Sequence, residues 1–144
     1  GLVATTGGGC LACVFPEDEA RALTVVDELR EAALRTRSSG DGGGLDVAAI
    51  EYLDERSMDI VRQDAVAARL GMPMPDTART ALLLQLEWAE AANGEAALDA
   101  LARLLERHGL QDTTLLIPAD DPRRRAAWFG LRESVPEGVN RRIA

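Results

Sequence analysis

Apolar positions along the chain alternate between two periods, and the switches mark its elements. Residues 9–15 (Gly-Cys-Leu-Ala-Cys-Val-Phe) form a short apolar run between glycines and Pro16, the pattern of a buried strand. Glu17, Asp18 and Glu19 then put acids into a first helical turn, where the positive end of the helix dipole favours them. Ala22, Val26, Leu29 and Ala33 follow at helical spacing, which predicts a long amphipathic helix resting on a flat layer. The run Ser38-Ser39-Gly40-Asp41-Gly42-Gly43-Gly44 reads as a flexible loop. It lacks the following Lys-Ser/Thr and preceding apolar strand of a phosphate loop. Residues 46–53 predict a second strand, and Asp54 is placed to cap a helix carrying Met58, Val61 and Ala65. Gly71-Met72-Pro73-Met74-Pro75 breaks the chain before a third strand over residues 80–88, the longest apolar stretch. After a turn at residues 91–94, Ala97, Leu101 and Leu104 stripe a second long helix. Gly109 stands where a left-handed C-cap is wanted, and His108 before it reads as a cation at the helix's negative end. Residues 113–117 predict a fourth strand, and Asp120-Asp121-Pro122 opens a closing helix.

Strand, long helix, strand, short helix, strand, long helix, strand and closing helix make two βαβ halves. This order predicts an α+β ferredoxin-like sandwich, with an antiparallel sheet and both long helices on one face. A doubly wound parallel sheet is the rival and fits less well, because no strand-to-helix turn carries a glycine phosphate fingerprint. Residues 80–88 are apolar on both faces, so something besides the two long helices is expected to cover the sheet.

Composition narrows the chemistry. The 144 residues make a single domain, residues 1–144, and no apolar run approaches a membrane span. All 16 basic residues are arginine, so Schiff-base chemistry and a phosphate-loop lysine are excluded. A net charge of −8 argues against nucleic acid as a partner. One histidine excludes a histidine-rich metal site within the chain. Cys10 and Cys13 are three apart on a strand and point to opposite faces, so they read as small buried hydrophobes rather than a redox pair. Nothing demands an oxidising compartment, and the cytoplasm is the expected location. Gly1 stands where a methionine would begin a chain and the sequence stops after an arginine pair, so a piece of a longer protein is expected.

The closing helix carries the most informative residues. Trp128 and Arg132 are four apart and Phe129 and Arg132 three apart, which puts aromatics and a guanidinium on neighbouring positions. Such a face suits a small carboxylate, since arginine offers planar, two-pronged bonding, but spacing alone favours a surface arginine paired beside Glu133 or with solvent. Arg123-Arg124-Arg125 and Arg141-Arg142 point to different sides of a helix and read as solvated or paired with the acidic N-cap.

Phe129-Gly130-Leu131-Arg132-Glu133 resembles the aromatic-x-Leu-Arg-Glu motif that closes the cap of the FAD-linked oxidases. That family includes D-lactate dehydrogenases, the glycolate oxidase flavin subunit and D-2-hydroxyglutarate dehydrogenase. Ala49-Ile50-Glu51-Tyr52-Leu53-Asp54, with Arg56 and Met58, is similar to its second cap strand and helix. Ala81-Leu82-Leu83-Leu84-Gln85-Leu86-Glu87 is similar to its third strand. Two positions depart: the family's usual tryptophan is Phe129 here, with Trp128 one residue earlier, and a hydroxyl residue that some members use is Pro136.

The resemblance implies a cap domain of an enzyme that oxidises a small 2-hydroxy acid of the lactate, glycolate or 2-hydroxyglutarate type by hydride transfer to FAD. Arg132 would hold the substrate carboxylate, while Glu51 and Glu87 sit on strands that could face the flavin but read first as structural carboxylates at strand surfaces. FAD would be bound by an upstream domain, and a divalent metal and the catalytic histidine would belong to a downstream segment. The fragment alone is expected to be inactive. The alternative is a stand-alone ferredoxin-like interaction or ligand-sensing module, a homodimer joined through its open sheet face.

Overall fold

The computed structural model describes residues 8–40 and 44–143. Its four strands, β1 (Gly8–Val14), β2 (Asp46–Leu53), β3 (Ala81–Trp88) and β4 (Leu115–Pro118), form one antiparallel sheet in the order β2-β3-β1-β4. β1 and β2 therefore run the same way with β3 between them, and α1 (Glu19–Ser39) makes the crossover. α4 (Gly94–Arg107) makes the equivalent crossover from β3 to β4 around β1. This is the ferredoxin-like arrangement predicted from the element order.

Strand alternation sorts the core into two layers. Ala12, Val14, Leu84 and Leu86 face α1 and α4, where they meet Val25, Leu29, Leu101 and Leu105. Leu11, Cys13, Leu83 and Ile117 face the other way, against Met58, Val61, Trp128 and Leu131. Cys10 and Cys13 fall into different layers, as their spacing requires. The expected second cover is supplied by α2 (Glu55–Gln63), α3 (Val66–Leu70) and α5 (Pro122–Ile143). The second face is thus not open as a whole, and a strip with Ala49, Gln85 and Glu87 stays at least partly accessible.

Caps set the helix ends. Asp18 accepts the Arg21 backbone N–H at 2.8 Å, and Gly40 closes α1 in the left-handed region at φ +68°. Asp54 accepts the Ser57 N–H at 2.8 Å, and Gly109 takes φ +68° beyond α4, both as read from the sequence.

Two local readings change. Ala65 does not continue the α2 stripe but stands in the left-handed region at φ +51°, between α2 and α3. A separate helix, α3, then fills the residues just before the Gly71–Pro75 break, and at five residues it is too short to show a period. The closing helix runs past Glu133 and through Pro136 to Ile143, held across the proline by buried Ser134 and by Val135 packed on the second core layer. The glycines at 42 and 43, and those before residue 8, lie outside the described residues.

Candidate functional site

The site is built on α5. The Asp121 carboxylate accepts the Arg124 backbone N–H at 3.1 Å, and Pro122 occupies the first helical position. One turn later the Trp128 Nε1–H donates to the Ala12 carbonyl of β1 at 2.9 Å, with the ring only 2% exposed. Leu131 is buried beside it. Gly130 faces α3, where a Cβ would lie 2.9 Å from the Leu70 Cδ2 methyl. These contacts fix the rotation of α5 about its axis.

With Trp128 and Leu131 turned into the core, Arg125, Phe129 and Arg132 share another side of the helix, at i, i+4 and i+7. The two aromatics therefore do not both stand beside the guanidinium. Trp128 is interior, Phe129 is exposed, and their rings meet edge to face with centroids 4.9 Å apart. Arg132 reaches β2, where its Nε lies 2.7 Å from a Glu51 carboxylate oxygen. Both side chains keep about 43–44% of their surface in water.

Glu51 lies opposite Leu83 in the sheet, and one step along the same face Ala49 lies opposite Gln85. Gln85 and Glu87 help to line a cleft of about 520 Å³ over β1 and β3, with Gly9, Leu11, Trp88 and Arg125. Arg132 is not part of this lining. The sequence singled out Arg132, Glu51 and Glu87; the fold joins the first two and places Glu87 in the neighbouring cleft. Sequence reading passed over Arg125, grouping it with its two predecessors. The seven-residue spacing to Arg132 separates it only once the buried side of α5 is known.

Other reactive groups stand apart. The His108 imidazole, on the α1–α4 side of the sheet, links two helices: the Arg21 guanidinium donates to Nδ1 at 3.0 Å, and Nε2 meets a Glu28 carboxylate oxygen. The histidine ends α4 as predicted, and it also links that helix to α1. Burial pushes both thiols upward, Cys13 most strongly, so neither is a nucleophile at neutral pH. Among the described residues no group of three or more His, Cys, Asp or Glu side chains could hold a metal ion. Among them, too, no helix is long and apolar enough to cross a membrane. What remains is an arginine-lined wall over a polar strip of sheet, suited to holding an anion in a fixed orientation.

Residues 15–144 match the family model described as FAD linked oxidases, C-terminal domain. No curated protein matches the chain.

Proposed function

The chain belongs to the C-terminal domain family of the FAD-linked oxidases, and on that premise we propose that it is the substrate-side cap of an oxidoreductase acting on a 2-hydroxy acid. Arg132 binds the substrate carboxylate. The observation that carries this reading is the Arg132–Glu51 pair, which holds a half-exposed guanidinium beside an accessible strip of sheet. A guanidinium engaged through Nε can turn its terminal nitrogens to a second carboxylate in a planar, two-pronged bond. Pro136 offers no hydroxyl, so on this helix the carboxylate depends on Arg132.

FAD, when bound, accepts the hydride from the substrate α-carbon. Among the described residues no strand-to-helix turn has the glycine fingerprint for a pyrophosphate, so we assign the dinucleotide to an upstream domain. A divalent metal is assigned likewise to a downstream segment. This chain's part is orientation: fixing one end of the substrate fixes where its α-carbon stands. Two free, buried thiols suit a reducing compartment, and we place the enzyme in the cytoplasm.

The test is a substrate survey of the intact flavoenzyme under anaerobic conditions. Either enantiomer of lactate or 2-hydroxyglutarate, or glycolate, is expected to bleach the flavin absorbance. If none does, the 2-hydroxy-acid reading is overturned.

A further inference from the structure

Of the three consecutive arginines that open α5, two have an evident place. Arg124 pairs with Asp121 at 3.5 Å, and Arg123 and Arg124 line a different cleft, against α3 and β4. Arg125 is turned the other way. It lines the cleft over β1 and β3, is partly buried, and makes no ion pair among the described residues. A guanidinium drawn partly out of water without a counter-ion is unfavourable until an anion reaches it.

Arg125 and Arg132 stand two turns apart on one side of α5, about 10 Å along its axis. The sheet brings their surroundings together. Gln85, on the cleft floor, is paired with Ala49, and Glu51, the partner of Arg132, is paired with the adjacent Leu83. Gln85 and Glu51 are therefore diagonal neighbours on one face, roughly 7–8 Å apart. Two long, flexible cationic side chains thus border one continuous strip of sheet.

We infer that Arg125 binds a second, distal anionic group of the substrate, so that the site takes a 2-hydroxy acid bearing two carboxylates in preference to a monocarboxylic one. This rests on the reading of Arg132 as the clamp for the first carboxylate. Glu87 lines the same cleft without pairing with Arg125, and its charge opposes a second anion. Glu87 thereby supplies a test of sign.

The experiment compares lactate with 2-hydroxyglutarate as substrates of the intact flavoenzyme, by KM, or by inhibition constant where a compound is not turned over. Arg125→Gln is expected to raise the KM of the dicarboxylate relative to that of lactate by about tenfold. Glu87→Gln is expected to tighten the dicarboxylate alone. Arg132→Lys is expected to weaken both. If Arg132→Lys weakens both but Arg125→Gln treats the two compounds alike, the inference is overturned and the clamp stands. If Arg132→Lys changes neither, the clamp reading fails and the inference falls with it.

Discussion

The Arg132 Nε and a Glu51 carboxylate oxygen lie 2.7 Å apart, joining the closing helix to the edge strand β2. Both partners are more than two-fifths exposed, and pairs of this kind contribute only about 0–1 kcal/mol to stability. Orientation is a better account of the contact than stability. Glu51→Ala should leave the unfolding free energy within about 1 kcal/mol of wild type and raise the KM for the 2-hydroxy acid. In an Arg132→Ala background the same substitution should leave KM unchanged, because it has nothing left to position. Additive effects on KM in the double variant would show that Glu51 does not act through Arg132.

Replacing the guanidinium by an ammonium separates charge from shape. Arg132→Lys keeps the positive charge but loses the planar fork, so KM should rise by about tenfold and turnover should fall. Equilibrium unfolding should be nearly unchanged, since the side chain is half in water. Kinetics indistinguishable from wild type would remove Arg132 from the site.

Trp128 is the anchor that aims this arginine. Its Nε1–H reaches Ala12 in the central strand, and its ring fills the second core layer. Trp128→Phe should cost about 1–3 kcal/mol from the lost buried hydrogen bond and the reduced filling together. Urea denaturation measures this as a lower midpoint with an unchanged slope. KM should rise in the same variant, because the rotation of α5 then has one fewer constraint. A variant that loses stability at unchanged KM would show that Leu131 and the Gly130–Leu70 contact suffice to hold the helix.

How far these features were legible follows from the length scale of each signal. The strands and long helices span many residues, so periodicity marks them, and the order of elements narrows the topology because few arrangements close two βαβ halves. The Cys10 and Cys13 split needs only strand alternation. Ala65 reads as helical because it stands four residues from Val61, whereas a left-handed backbone at one residue leaves no mark on the apolar pattern. The Glu51–Arg132 pair spans 81 residues and depends on the angle at which α5 crosses the sheet, which tertiary packing of Trp128 and Gly130 decides. Arg125 was hidden for a simpler reason. Three identical neighbours carry no local cue to which of them faces the sheet until the buried side of the helix is known.

Asp54 offers a test in which pH sets the sign. Its carboxylate takes the Ser57 backbone and side-chain hydrogen bonds at the start of α2, and these hold its pKa below the ordinary value of 3.8. A folded-state pKa below the unfolded one means stability that is fully present above the unfolded value and is lost as pH falls through the folded value. Asp54→Ala should therefore cost about 1 kcal/mol near neutrality, the usual worth of an acidic N-cap. The gap between variant and wild type should narrow as pH drops below 3.8 and through the depressed value, where the wild-type carboxyl is protonated in both states and only its neutral hydrogen bond remains. Urea unfolding at neutral pH and at successively lower pH measures both limits. A gap that stays constant into acid would assign the loss to packing at the start of α2 and not to the charge on Asp54.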